Sequence, residues 1–176
     1  MKSSSKIATI ATVLLLSIGC DQILKYVAKI SLQYSLPVSL LEDFIRLQYA
    51  ENRGVMLSIG ASLSAGLRFW IFVVAVGFLL CGILAYVMLS RETNRMQTIA
   101  WTLVVAGGLG NLIDRLTRDG VVVDYISVGF GVVRTAVFNL ADTLVFAGVL
   151  LLLVHTRKKD EKPNGQDPDL RPGANN

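Results

Sequence analysis

Residues 69–89 read FWIFVVAVGFLLCGILAYVML, a stretch without a single charged side chain. A helix needs about 20 predominantly apolar residues to cross the hydrocarbon core of a bilayer, and this stretch reaches that length without interruption. Of the 176 residues in the chain, 53% are hydrophobic and only 17% are charged, whereas a typical soluble domain has about 25% charged residues. We therefore predict that the chain is a membrane protein.

Three further apolar segments cover about residues 7–28, 98–115 and 137–155. Each of them reaches a spanning length only if polar residues at one end are included. We predict a membrane all-α bundle of four transmembrane helices, forming a single domain over residues 1–159. The remaining residues 160–176 are rich in Pro, Gly, Asn and Asp, a composition that favours a disordered cytoplasmic tail.

Basic residues indicate how the bundle is oriented. They precede the first span, fill the link between the second and third, and follow the fourth: Lys2, Lys6, Arg91, Arg95, Arg157, Lys158, Lys159 and Lys162. Short cytoplasmic loops carry an excess of Lys and Arg, so both termini should be cytoplasmic. The basic residues lie at the ends of apolar runs, a distribution that fits membrane topology better than nucleic-acid binding. We therefore expect no nucleic-acid partner.

The loop between the first and second spans, about residues 29–67, should then lie outside the cytoplasm. Its sequence shows a period-two pattern. Ile45, Leu47 and Tyr49 alternate with polar residues, and the alternation returns over residues 55–59 after a turn signal. Alternation of this kind is typical of strands with one buried face. We predict a small extracytoplasmic β element resting on the outer leaflet.

The polar ends of the first, third and fourth spans all fall on the outer side. Eight residues should converge there at one depth: Asp21, Lys25, Asn111, Asp114, Arg115, Asp124, Asn139 and Asp142. A bundle of plain membrane anchors would scatter its polar residues. Ionisable residues at membrane depth are costly and mark functional sites, so this concentration predicts a site.

Two of these residues form a candidate catalytic pair. Asp124 follows an Asp119-Gly120 turn and a run of three valines, and these β-branched residues should place it on an extended segment. Asp142 lies at the start of the fourth span. Two neighbouring carboxylates that share a proton are the groups that aspartic proteases use to activate water. Charge complementarity at a helix N-terminus, with Asn139 as N-cap, would explain Asp142 alone but not Asp124 beside it.

Other polar motifs have structural alternatives. Asp21 and Lys25 share a helix face at i and i+4, as an ion pair closing the first span or as a buttress or lipid-headgroup contact for the site. The glycines of residues 107–110 allow close helix approach. Asp114 is expected to give local support to Arg115 and to the outer end of the third span.

Two other functions are compatible with parts of the sequence. Ser17-Ile18-Gly19-Cys20 resembles the lipobox of a lipoprotein precursor, in which case the chain would itself be lipidated at Cys20. A small transporter or ion-binding protein would also place polar residues inside the membrane, but at several depths. The only other cysteine, Cys81, gives no disulfide framework and no metal-ligand spacing with Cys20.

Four ordered blocks resemble bacterial lipoprotein signal peptidase, also called signal peptidase II. They are Asp21-Gln22 with Lys25, Asn52-x-Gly54 with Ser58, Gly107-Gly108-x-Gly110-Asn111-x-x-Asp114-Arg115 with Val122-Val123-Asp124-Tyr125, and Phe138-Asn139-x-Ala141-Asp142. The resemblance implies a monomeric aspartyl endopeptidase of the bacterial inner membrane that needs no metal or cofactor. It implies four helices, a periplasmic β cradle with the active site near it, and lipid-modified prolipoproteins and membrane lipids as partners. Cleavage would occur before the diacylglyceryl-cysteine.

The resemblance also implies roles for individual residues. The matching catalytic pair is Asp124 and Asp142. The positions matching the substrate-binding and supporting residues are Asp21, Lys25, Asn52, Gly54, Gly108, Asn111, Asp114, Arg115, Asn139 and Ala141. One departure follows Gly54, where the family shows small residues and then Phe but this chain has Val55-Met56-Leu57. We expect these bulkier side chains to reshape the substrate groove.

Overall fold

The computed structural model describes residues 3–55 and 59–160, except the side chains of residues 156–160. The described residues form four helices, which we label α1 (Ser3–Leu32), α2 (Ala65–Leu89), α3 (Arg95–Thr117) and α4 (Leu140–Asp160). They also form four strands, β1 (Val38–Leu40), β2 (Ile45–Asn52), β3 (Val122–Phe130) and β4 (Val133–Arg134). The predicted tail from residue 161 onward and the motif residue Ser58 lie outside the described residues.

Three helices, α1, α2 and α3, are long and apolar enough to cross a membrane, which confirms the membrane character of the chain. The apolar part of α4, Leu140–His155, is shorter. At about 1.5 Å of rise per residue it falls short of the ~30 Å hydrocarbon core. Helix α3 lies at the centre, because it packs against α1, α2 and α4.

Helix ends differ from the sequence-based boundaries. The first and third helices begin and end beyond the predicted spans, and α4 begins at Leu140 rather than at residue 137. Local capping explains the early start of α3: the Asn94 side chain accepts a hydrogen bond from Gln97 N (2.9 Å), and the Gln97 side chain accepts one from Asn94 N (3.1 Å). Such a capping box satisfies two helix-end donors with polar residues that a hydropathy pattern leaves out.

Helix α2 contains a π-helical turn over Trp70–Ala75, between two α-helical parts. Insertions of this type are rare in helices and often lie at functional sites. The turn carries Phe72, whose ring lies under the guanidinium of Arg115 with 5.6 Å between the Cζ atom and the ring centroid. The widened turn therefore faces the outer end of α3, where the polar residues gather.

Glycines of α3 set the close approach of the helices. A Cβ atom added at Gly107 would collide with the carbonyl oxygen of Ala141 in α4, and one at Gly110 would lie 2.6 Å from Asp21 Oδ2 in α1. The prediction that residues 107–110 allow close helix approach is confirmed. Gly108 faces Leu80 of α2, at 2.6 Å from Cδ2 to the added Cβ, so its place is in helix packing rather than beside the carboxylates.

The strands form one antiparallel sheet in the order β1-β2-β3-β4. The predicted strand around Ile45–Tyr49 and the predicted extended segment carrying Asp124 are both confirmed as β2 and β3. They pair with each other, with Ala50 opposite Asp124, so the segments that follow α1 and α3 build a single sheet. The second alternating segment pairs only as an isolated Val55–Ile59 bridge among the described residues, and β2 takes β1 and β3 as its neighbours instead.

Candidate active site

Asp124 enters the site from β3. The backbone reaches it through the Asp119-Gly120 turn, where both residues have positive φ (52° and 78°). The side chain is only 2% exposed. Its Oδ1 accepts a hydrogen bond from Asn139 Nδ2 (2.6 Å), and its Oδ2 accepts one from Asn52 Nδ2 (3.1 Å). Both oxygens of a buried carboxylate are therefore satisfied by side-chain amides.

Asp142 enters from the first turn of α4 and is half-buried. Its Oδ1 accepts a hydrogen bond from Asn111 Nδ2 (2.8 Å), and its Oδ2 accepts one from Asn139 N (3.2 Å). In return, Asp142 N donates to Asn139 Oδ1 (2.9 Å), which confirms Asn139 as the N-cap of α4. The first turn of α4 thus fixes both the backbone and the carboxylate of Asp142.

Asn139 joins the two carboxylates. This residue is fully buried, and it contacts Asp124 through its side-chain nitrogen and Asp142 through its backbone nitrogen. A single residue therefore sets the position of one carboxylate relative to the other. Asp142 is only half-buried, so it keeps more contact with the surroundings than Asp124 does.

The electrostatics of the pair favour a retained proton. Burial, and then the charge of Asp142, raise the pKa of Asp124 to about 6, although the hydrogen bonds from Asn52 and Asn139 oppose the shift. Like charges that lie close together resist double ionisation, so the proton belongs to the pair rather than to one residue. The raised pKa extends upward the pH range in which the pair holds one proton and one negative charge, the state required for acid–base work on a water molecule.

A second cluster centres on Lys25, which is fully buried. Its Nζ lies 2.9 Å from Asp21 Oδ2 and 3.0 Å from Asp114 Oδ2, and it donates to Asn111 Oδ1 (2.9 Å). A headgroup contact needs an accessible ammonium group, so Lys25 does not make one. The ion pair with Asp21 is confirmed, and it extends into a buttress because Asn111 in turn donates to Asp142.

The carboxylates of this cluster also hold backbone next to the candidate pair. Asp21 Oδ1 accepts from Ala141 N (2.9 Å), one residue before Asp142. Asp114 Oδ2 accepts from Val123 N (3.1 Å), one residue before Asp124. The Lys25 cluster therefore links the first and third helices to both elements that carry the pair.

Asp114 supports the C-terminal end of α3 through Arg118, and it acts on Arg115 through its charge and not through a hydrogen bond or ion pair among the described residues. The hydrogen-bonded and ion-paired partners of Asp114 are Lys25, Gln22, Arg118 and the β3 backbone. Gln22 donates to Asp114 Oδ1 (3.0 Å) and was not among the predicted site residues. A signal was available, because Gln22 is a polar side chain directly after Asp21 inside a predicted membrane span.

Arg115 holds the segment that follows β2. Its Nη2 donates to Gly54 O (2.7 Å), and its Nη1 donates to Asn111 O (3.2 Å). Gly54 N in turn donates to Asn52 Oδ1 (2.9 Å), which orients the amide that contacts Asp124. The Arg115 Nε atom is buried without a hydrogen-bond partner among the described residues. The predicted residues Asn52, Gly54 and Arg115 thus form one connected unit beside the pair.

The sequence profile of the family described as Signal peptidase (SPase) II matches residues 13–158. The chain belongs to this family. It is 36% identical over 140 residues to the lipoprotein signal peptidase of Borreliella afzelii, covering 77% of this chain and 81% of the relative. It is 32% identical over 159 residues to that of Streptococcus pneumoniae, covering 90% of this chain and 99% of the relative.

A solved bacterial membrane enzyme has a similar fold, with a TM-score of 0.77 and 26% sequence identity over 91% of this chain and 94% of that one. Membership of the signal peptidase II family makes the chain a bacterial membrane protease. It does not favour the transporter or the lipidated-lipoprotein alternative. Cys20 accordingly lies within α1, as one residue of a continuous helix.

Proposed function

We propose that the chain is an aspartic-type endopeptidase in which Asp124 and Asp142 are the catalytic residues. Its family removes signal peptides from prolipoproteins, and that is the activity of this chain. The observation that supports the catalytic assignment is the shared contact with Asn139, which joins both carboxylates at distances of 2.6 and 3.2 Å. Two carboxylates held in this way, one of them with a raised pKa, fit activation of a water molecule.

In the proposed mechanism the pair holds one proton and a water molecule. The ionised carboxylate takes a proton from the water while the water oxygen attacks the scissile carbonyl carbon. The protonated carboxyl hydrogen-bonds the carbonyl oxygen as negative charge develops on it. A proton then passes to the leaving amide nitrogen, the C–N bond breaks, and the pair returns to its starting state with one proton.

The surrounding side-chain amides hold the two carboxylates in fixed positions. Asn52 and Asn111 each hold one oxygen of one carboxylate, and they leave the other oxygen to Asn139. Because each amide is itself fixed by the backbone or by Lys25, little reorganisation is needed when charge moves between the carboxylates. Preorganised donors of this kind lower the barrier more than donors that must first turn into place.

The proposed topology has four spans, both termini in the cytoplasm, and the active site near the periplasmic face of a single domain over residues 1–159. The basic clusters at the inner ends of the spans support this orientation. The sheet formed by both outer loops lies at the same end as the carboxylates. We propose that the enzyme acts as a monomer and that the acyl chains of its substrate remain in the bilayer during cleavage.

Incubation of the purified protein with a lipidated and an unlipidated lipobox peptide tests the proposed function. We expect cleavage before the lipidated cysteine and little or none of the unlipidated peptide. Equal cleavage of both peptides would contradict the substrate class, and cleavage of neither by folded protein would contradict the activity. The product is identified by mass, so the position of the broken bond is read directly.

A further inference from the structure

A cleft lies outside the catalytic cluster, between the end of α1 and the end of α3. Its volume is about 640 Å³, which is within the range of small-ligand sites. Among its lining residues are Tyr26, Lys29, Ile30, Gln33, Tyr34 and Arg118. Neither the proposed mechanism nor the Lys25 cluster uses Lys29 or either tyrosine.

The charged side chains that line the cleft are all positive among the described residues. Lys29 and Arg118 are both cationic, and none of the described residues that line the cleft is acidic. The side chain of Arg118 keeps 23% of its surface exposed, and its ion pair with Asp114 is long at 3.5 Å. Tyr26 and Tyr34 are exposed at 62% and 95% and add hydroxyl groups that can bind an anion. The chemistry that fits is an anion with several acceptor oxygens, such as a phosphate group.

An exposed apolar stripe leads away from the cleft along α1. Ile23, Val27 and Ile30 follow one another at helical spacing and are 63%, 45% and 64% exposed. Residues at i, i+4 and i+7 share one face of a helix, so this stripe runs from Ile30, which lines the cleft, toward the middle of α1. Polar and cationic groups above a lipid-facing apolar stripe match an amphiphile with a charged head and acyl chains.

We propose that this cleft binds an anionic phospholipid, with the phosphate between Lys29 and Arg118 and an acyl chain along Ile23, Val27 and Ile30. Tyrosines at the level of the headgroups are typical of the membrane interface and agree with this depth. The bound phosphate shares Arg118 with Asp114, which holds the strand of Asp124 through Val123 N. The lipid site thus lies next to the catalytic framework without contacting either catalytic carboxylate.

Native mass spectrometry of the detergent-solubilised full chain tests the proposal. The protein is titrated with phosphatidylglycerol or with phosphatidylcholine of identical acyl chains. We expect tighter binding of phosphatidylglycerol, and we expect Lys29→Gln and Arg118→Gln each to weaken it about fivefold, as for one cationic contact with an anionic lipid surface. Arg91→Gln removes an exposed charge at the opposite end of the bundle and should leave binding unchanged.

Two results would overturn the proposal. Equal binding of both lipids, or unchanged phosphatidylglycerol binding by both Lys29→Gln and Arg118→Gln, would show that the cleft does not recognise the charged headgroup. A third arm adds soluble glycerol phosphate, which lacks acyl chains. If it displaced the lipid at equal concentration, the site would bind free phosphate esters and not a membrane lipid. Among the described residues, the Lys29 side chain makes no hydrogen bond or ion pair with the catalytic framework, so its variant is informative even if Arg118→Gln is unstable.

Discussion

Replacing Lys25 by Met removes the centre of the buried cluster while keeping a side chain of similar length. The ammonium group loses two ion pairs, of 2.9 and 3.0 Å, and one hydrogen bond of 2.9 Å to Asn111. Asp21 and Asp114 then remain as two neighbouring carboxylates at 1% and 0% exposure. Removal of one partner from a buried ion pair costs about 3–5 kcal/mol, because the remaining charge stays uncompensated. We expect a loss of about 4 kcal/mol in the free energy of unfolding.

A double variant shows whether the loss comes from the stranded charges. In Lys25→Met/Asp114→Asn one of the two carboxylates becomes a neutral amide, while Asp21 keeps its hydrogen bond from Ala141 N. We therefore expect the double variant to recover about half of the loss, roughly 2 kcal/mol, since residues in one network do not act additively.

The assay is unfolding by sodium dodecyl sulfate in mixed micelles, followed by the fluorescence of Trp70 and Trp101. The matched control is Lys29→Met, one helical turn further on, because Lys29 is exposed and such substitutions usually stay within ~0.5 kcal/mol. If Lys25→Met were as stable as Lys29→Met, or if the double variant were less stable than Lys25→Met, the account of this cluster would be refuted.

Three further predictions concern the site and the packing around it. Because the pKa of Asp124 is raised to about 6, the pair loses its proton as the pH rises through that value, so cleavage should fall along an alkaline limb with a midpoint near 6. Asn52→Ala removes a hydrogen bond that lowers this pKa and should move the midpoint of that limb upward, and an unchanged or lowered midpoint would contradict the assignment. In the same unfolding assay, Gly107→Ala should destabilise the protein by about 1–3 kcal/mol, because the added Cβ atom clashes with α4. The control Gly19→Ala has open space around the added Cβ atom and should be neutral or stabilising. Cys20→Ala should keep nearly full cleavage activity, and a mature chain beginning at residue 20 in an intact-mass measurement would contradict that expectation.

The sequence was sufficient to predict the carboxylate pair and much of its surroundings. Asp124 and Asp142 are conspicuous because a charged side chain beside an apolar run is costly in free energy and marks a functional site. Asn139 was predictable as an N-cap because its position before an apolar run satisfies a helix-end donor. The membrane helices followed from hydropathy over residues 69–89 and from the polar-ended segments on either side.

The connections between distant elements were not predictable from one sequence. Lys25 pairs with Asp21 at i+4, which spacing indicates, but its second partner Asp114 lies far away in the chain. The two outer loops each carried a strand pattern, but no local signal specified that β2 and β3 pair. Spacing along the chain also did not indicate that Gly108 packs against Leu80 of α2. Local rules locate residues on elements, whereas partner choice depends on tertiary packing.

The most direct test of the catalytic assignment is the cleavage rate of lipidated precursor by Asp142→Asn, measured beside Asp124→Asn, the double variant and Asp119→Asn. Asn keeps the size of Asp but cannot exchange the proton, and a general acid or base supplies about 10²–10⁴-fold. We predict a loss of that size in each single variant of the pair, a double variant little worse than either, and a nearly normal rate for the exposed turn residue Asp119. Retention of more than about a tenth of the wild-type rate by folded, membrane-inserted Asp142→Asn would contradict the account.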